Sequence, residues 1–459
     1  MNWSIETLLT VHIIVVTLFL MVMALLLLRR SLFRWNAAGF WAWVSFALYY
    51  VLNPLTTLRS GDLNVYRSSL SLAGGVERGQ WILFVLLLGM MAFFLAYLRT
   101  SAKPVVWRLQ GDSVSLPMFA GMVLFIVLSL YSLFTQRSLV VATGRATIIE
   151  SGRFIGEVSG YENAGYMFLI VPILMLVLSK SHGLRGLGWL STGLFMLLSL
   201  PSGWSRFALV SILIALSLAD VLQRKAAWPR WFFIPILLIL TLALQLRGHT
   251  EWTLAATAGE LVDLSGQVTQ NLGEKISSAI GSEEVSALAT WYLESYVIER
   301  YLGYSYGLPI LNYAATGWIP SRLLPQKYFL IDWVASQQIR PSVSVVGLLY
   351  GAKSSLLGSF YGEGGLFAVL IMAAITGFLS RKLDGMLHPD SPLLVRATGV
   401  AWMSVLWMIW QSSDTWGIMA LGILGLPTLV MWLLAPKVHR PKVIRKAVIK
   451  ESQWVKIRK

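Results

Sequence analysis

Three short stretches of this chain carry residue types that can do chemistry, and each interrupts otherwise apolar sequence. The first is GWIPSRLLPQK, Gly317 to Lys327. Pro320 and Pro325 fix the backbone and remove donors, so this stretch cannot be the interior of a membrane helix. Trp318 and Tyr328 suit the headgroup level of a bilayer. Arg322 and Lys327 would then lie where a lipid phosphate lies, and Arg340 follows further on. The second is PSGWSRF, Pro201 to Phe207, a tight turn with Arg206 opening the next helix. The guanidinium and the positive end of that helix would favour the same anion, although such an arginine can also simply snorkel. The third is GSFYGEGGLF, Gly358 to Phe367, with Glu363 among three glycines at the outer mouth of a helix. A carboxylate there can serve as a general base or cap the helix N-terminus, and both readings stay open.

Other candidates are more dispersed. Asp332 follows the proline-rich stretch, and Asp414 sits in the short turn QSSDTW. Arg247 and His249 share LRGHTEW at the start of a long connection, where His249 could act as a base. No HExxH or DxD pattern is present, so neither a metal nor a cofactor is expected. With no cysteine, disulfides, Cys-zinc sites and thiol catalysis are excluded.

The elements that must position these residues are membrane helices. Of 459 residues, 56% are hydrophobic and 13% charged, against roughly 45–50% and 25% in soluble domains. Apolar runs at about 7–28, 37–55, 81–98, 115–134, 166–179, 187–201, 207–222, 231–246, 364–380, 397–412 and 416–435 predict eleven spans, or roughly 11–13 with two ambiguous segments. The first run is too long and evenly apolar for a cleaved signal peptide. The expected fold is an all-α polytopic membrane protein with one large outward loop. Its parts are an N-terminal bundle over 1–246, the loop over 247–363, C-terminal helices over 364–436 and a basic tail over 437–459.

Charge sets the expected orientation. Alternate connections hold Arg29-Arg30-Arg34, Arg99-Lys103-Arg108, Lys180-Arg185, Arg224-Lys225-Arg230 and Arg381-Lys382-Arg396, and the tail is basic too. The positive-inside rule makes these cytoplasmic, with the N-terminus outside and the C-terminus inside. The +15 net charge thus falls mostly on short loops and a tail suited to anionic lipid, which argues against nucleic acid. Of the fourteen cations left on the outer side, Arg78 among them, eleven are arginine. That bias hints at a phosphorylated ligand. Within the long loop, Ala287 to Tyr306 mixes aromatics and charges as an interfacial helix would, and Val343 to Phe360 reads as a re-entrant or broken segment.

Taken together, the PSGWSR turn, the long outer loop, its IPSRLLPQK segment and the YGEG stretch resemble Wzy-type polymerases of bacterial O-antigen or oligosaccharide repeat units. The resemblance implies a GT-C-like bundle in the bacterial inner membrane, with its site on the periplasmic face. It implies that a growing glycan is transferred from undecaprenyl pyrophosphate onto an incoming lipid-linked repeat unit, with release of undecaprenyl pyrophosphate. Arg206, Arg322, Lys327, Arg340 and Arg247 would hold the pyrophosphate, and Glu363, Asp332 or His249 would take the hydroxyl proton. A chain-length regulator and a flippase are implied as pathway partners. The nearest alternative is an O-antigen ligase or another polyprenyl-linked glycosyltransferase, which Arg247 with His249 could imitate. A lipid or glycan transporter fits less well, because it would place charge at mid-membrane depth and show internal symmetry.

Overall fold

The structure is a computed structural model that describes residues 4–61, 63–107, 109, 112–143, 168–199, 206–235, 287–304, 306, 311, 355–411 and 414–437. Its named elements are all helical, and among the described residues three helices are long and apolar enough to cross a membrane: Ile5–Arg29 (α1), Val76–Arg99 (α5) and Ser355–Met386 (α11). Between α1 and α5 lie Ala38–Ala47 (α2), Asn53–Ser60 (α3) and Asn64–Leu72 (α4). Then follow Leu116–Thr143 (α6), Ile170–Leu178 (α7), His182–Ser199 (α8), Arg206–Arg224 (α9) and Ala287–Val297 (α10). Leu393–Gln411 (α12) and Asp414–Leu434 (α13) close the series.

Local sequence explains the shapes of these helices. Ser4 caps α1 by accepting from the Thr7 N–H at 3.1 Å, with Glu6 in the first turn and Arg29 in the last, each charge complementing the helix dipole. The apolar run at 37–55 is one helical path with a fault in it. A π-helical turn, Leu48–Leu52, joins α2 to α3. Pro54 sits just beyond, and its ring cannot coexist with an ordinary helical bond to the carbonyl four residues back, which belongs to Tyr50. The fault sets the buried Tyr50 hydroxyl against Ser355 Oγ at the start of α11.

Lipid-facing and packed faces separate cleanly. On α1, Ile14, Leu18, Met21, Leu25 and Leu28 are exposed while Leu9, Val16, Leu20 and Leu27 are buried. On α11, Phe367, Ile371, Ile375 and Phe378 are exposed while Val369, Ala373 and Gly377 are buried. Exposed apolar stripes of this kind are what hydrocarbon solvates, and they mark an integral membrane protein. The most extensive pairing is between α5 and α11. Glycines let it close: a Cβ at Gly89 would lie 2.7 Å from Val369 Cγ1, and one at Gly377 would overlap the Phe93 carbonyl oxygen. Without a hydrophobic driving force in lipid, such close approach is what makes two helices adhere.

The connections expected to share one side do meet at one end. The Trp35 N–H donates to the Ala227 carbonyl at 3.0 Å, and the Arg30 side chain reaches the Leu98 carbonyl. Arg396 and Lys180 both pair with Asp112, at 2.6 and 3.0 Å. Arg381 Nε donates to the Thr100 carbonyl, and Leu109 bridges to Lys437. The hub of this basic end is Asp384. It accepts from the Ala38 N–H at 2.8 Å, from Arg381 Nη1 at 2.8 Å and from the Tyr97 hydroxyl, and Arg381 also lies over the Tyr97 ring.

Two expectations from the loop are corrected. Ala287 to Tyr306 is not an interfacial helix: α10 packs against α4, α5 and α11, with Trp291, Tyr292 and Ser295 fully buried. Its aromatics fill the core rather than a headgroup layer. The helix expected from 364 does run on from the two glycines, but a helical stretch from Ser355 leads into them, because Leu356, Leu357, Phe360 and Tyr361 bury it. Two glycines then interrupt α11. Gly364 has φ 178° and ψ 34°, and Gly365 has φ 63° and ψ −146°, a pairing open only to glycine.

Candidate functional site

Opposite the basic end, the described residues line a cavity of about 760 Å³. It is built where three elements converge. Gly74 and Gly75, both at positive φ, turn the chain sharply into α5, so that Glu77, Arg78 and Trp81 project from its first turns. A π-helical turn, Ile298–Leu302, ends α10 and carries Glu299; the Gly303 N–H closes it onto the Ile298 carbonyl at 2.7 Å. The third element is the interrupted stretch of α11, with Tyr361, Gly364, Gly365 and Phe367.

These groups form one hydrogen-bonded chain. Arg78 Nη1 donates to Glu299 Oε2 at 2.6 Å, and the Tyr361 hydroxyl donates to Glu299 Oε1. The Trp81 indole N–H donates to Tyr361 Oη at 3.0 Å. Beside them Tyr304 packs on the glycine break, where a Cβ at Gly365 would lie 2.8 Å from its hydroxyl oxygen. The Tyr306 N–H donates to the Glu363 carbonyl at 2.9 Å, which ties the chain after α10 to α11 just before the break. Burial first, and the negative charge of Glu299 second, push the Tyr304 phenol above its ordinary value, so it remains a protonated donor.

The arrangement offers a fixed carboxylate, a phenol, an indole and an arginine whose charge is already met by Glu299. It can therefore bind a hydroxyl-bearing ligand through several directional bonds. Among the described residues, no three histidine, aspartate or glutamate side chains gather as a metal site would require.

The residues singled out from the sequence fare differently. Glu363 lies inside α11, one residue before the break, and its side chain is buried; it is not among the residues lining the cavity. Arg206 opens α9, as the turn preceding it predicts. Asp414 opens α13. Arg322, Lys327, Arg340, Asp332, Arg247 and His249 lie outside the described residues, as do the GWIPSRLLPQK stretch and residues 343–354. Of the expected pyrophosphate set, only Arg206 lies among the described residues.

What the sequence reading passed over is the cavity itself. Arg78 stands only among the outer cations, Tyr361 enters only within the YGEG stretch, and Glu299, Trp81 and Tyr304 carry no motif. A weak signal was present in VIERYLGYSY, where a charged pair falls among tyrosines. Compared with family models, with curated proteins and with solved structures, the chain matches none.

Proposed function

We propose that this protein is a glycosyltransferase of the bacterial inner membrane that joins undecaprenyl-pyrophosphate-linked oligosaccharide repeat units into a surface polysaccharide. Its bundle would be GT-C-like, with the cavity end periplasmic and the C-terminus cytoplasmic. The resemblance of PSGWSR and IPSRLLPQK to Wzy-type polymerases motivates the reading. The observation that carries it furthest is one of placement. Arg206 opens α9 while Arg224 and Asp220 pair at its basic end, so Arg206 stands at the same end of the bundle as the cavity and the break in α11. Polar groups gathered at one face, with apolar helix centres beneath, suit an enzyme working on a lipid-linked substrate in one leaflet.

In this reading the acceptor's sugar hydroxyl attacks the donor's anomeric carbon as the bond to undecaprenyl pyrophosphate breaks. Arg206, Arg322, Lys327, Arg340 and Arg247 would meet the negative charge that develops on the leaving pyrophosphate. Glu363, Asp332 or His249 would accept the hydroxyl proton. A flippase would supply the substrate, and a chain-length regulator would set the number of rounds.

The test is reconstitution of the purified protein with the host's lipid-linked repeat units, read as a glycan ladder on a gel. The wild type is expected to give a ladder that Arg206→Ala and Arg322→Ala reduce at least a hundredfold without loss of folding. Transfer seen only when a lipid A–core acceptor is added would replace the polymerase by a ligase. Movement of substrate across the bilayer with no bond formed would remove the enzyme reading altogether.

A further inference from the structure

We infer that the cavity between α5, the end of α10 and the break in α11 is a carbohydrate subsite that takes an uncharged or amino-bearing sugar ring, and is separate from whatever holds a pyrophosphate. The inference deepens the reading above: it rests on the protein acting on a membrane-linked glycan, and it locates the sugar of that substrate.

Charge is the first argument. The acidic and basic side chains of the lining are Glu77, Arg78 and Glu299, two carboxylates against one guanidinium. Arg78 is held on Glu299 at 2.6 Å, so its charge is neutralised within the cavity wall. Arg300 lies over the Tyr296 ring at 5.7 Å and is not among the lining residues. A pyrophosphate entering here would meet an excess of negative charge, and so would a uronic acid. An uncharged polyol would not.

Chemistry is the second argument. A sugar ring presents hydroxyls around its edge and C–H groups on its faces. The edge needs acceptors and donors at fixed positions; the faces need flat aromatic surface. The cavity has both. Glu299 retains lone pairs beyond the two that Arg78 and Tyr361 use, because a carboxylate offers about four acceptor positions. Tyr304 supplies a phenolic donor, and Trp81 and Phe367 supply rings that are 39% and 77% exposed. Tyr304 and Tyr361 stand nearly perpendicular, with centroids 6.3 Å apart, so their rings form two walls rather than one flat sheet. Polar groups converging within an aromatic enclosure of this size are the ordinary anatomy of a small-ligand site.

Position is the third. Trp81 is in ring contact with Phe84, which is itself exposed toward the lipid-facing side of α5, and Phe367 begins the exposed stripe of α11. The cavity thus adjoins the apolar surface at the end of the span. A sugar tethered to a polyprenyl chain would reach it with the chain still in lipid.

The test uses the full-length protein in nanodiscs and two soluble probes, read by tryptophan fluorescence titration and by calorimetry. One probe is the neutral oligosaccharide released by mild acid from the host's own polyprenyl-linked glycans. The other is farnesyl pyrophosphate, which has the anion and no sugar. Glu299→Gln and Trp81→Ala are expected to weaken the oligosaccharide at least tenfold and to change farnesyl pyrophosphate affinity by less than twofold. Trp81→Phe, a milder change at a partly exposed ring, guards against misfolding and should weaken the oligosaccharide by a smaller factor in the same direction. A melting curve accompanies each variant. Loss of farnesyl pyrophosphate binding in these variants would overturn the inference in favour of an anion site. Unchanged oligosaccharide binding in correctly folded variants would overturn it outright. The two readings fail separately. A glycan ladder that persists in Trp81→Ala removes the subsite and leaves the polymerase. Oligosaccharide binding lost in the variants, with no ladder from the wild type, removes the polymerase and leaves the subsite.

Discussion

An ion pair sits at each end of the paired helices α5 and α11, and the two are built differently. At the basic end the Arg381 and Asp384 side chains are 17% and 2% exposed. Asp384 there receives a backbone N–H, a phenol and a guanidinium. At the other end Arg78 and Glu299 are 19% and 30% exposed and line a cavity. A buried carboxylate that meets three donors of the protein serves to hold helices together. One with a face left open can also meet a ligand. Two ion pairs of similar length thus differ in burial and in how many acceptor positions the protein fills.

The sharpest way to break this contrast is to neutralise both acids. Asp384→Ala strands Arg381 and the Tyr97 hydroxyl beside a buried gap and should cost about 3–5 kcal/mol, the usual penalty for halving a buried pair. It should appear as loss of monodisperse protein or a much lower melting temperature in detergent. Glu299→Gln should stay within about 1 kcal/mol of the wild type, since its pair is part-exposed and the amide still accepts. If Glu299→Gln proves the more damaging to folding, the two ends are not different in kind.

The glycines allow a second, smaller comparison. Gly377→Ala places a methyl on the Phe93 carbonyl and forces α5 and α11 apart, at about 1–3 kcal/mol. Gly365→Ala meets a positive φ and the Tyr304 hydroxyl, and should cost about 1–2 kcal/mol. The melting temperature should fall more for the first. Sugar affinity should fall more for the second, because only that one reshapes the cavity wall.

The smallest effect concerns pH. Burial alone would raise the Asp112 carboxyl, but the hydrogen bond from Lys180 and the charge of Arg396 outweigh it and leave it below the usual carboxylate value. A depressed folded-state pKa adds stability that is present above about pH 4, the unfolded value, and lost as pH falls through the folded one. The melting temperature should therefore drop on acidification below about pH 4, and Asp112→Asn should flatten that drop.

How far the sequence could be read depended on whether the cause was local. The ends of α1, α5 and α13 agree with their apolar runs to within a few residues, because hydropathy and flanking charge act on the segment itself. The gathering of Arg30, Arg224, Arg381 and Arg396 at one end follows from the same alternation. What failed was long-range. Nothing near Ala287 announces that Trp291 and Tyr292 will be covered by α4, α5 and α11, so a mixed aromatic and charged stretch looked interfacial. Nothing near Arg78 announces Glu299, more than two hundred positions away. The glycines at 364 and 365 are legible as a special backbone at a helix start, but the helical turns before them, which Phe360 and Tyr361 bury, are not.

That interruption has a consequence for the lipid around the protein. From Leu366 to Ser380, just before Arg381 at the basic end, the unbroken apolar part of α11 spans about 22 Å at roughly 1.5 Å per residue, shorter than the ~30 Å hydrocarbon thickness of an ordinary bilayer. With Arg381 at the inner boundary, the break would fall in the outer part of the acyl region of such a bilayer. Membrane thickness becomes a ruler for the cavity. A thinner bilayer lifts Gly364 and Gly365 clear into the aqueous phase. A thicker one drags them deeper into hydrocarbon, where the helix must either close its gap or tilt, and the cavity beside Tyr304 changes shape in either case.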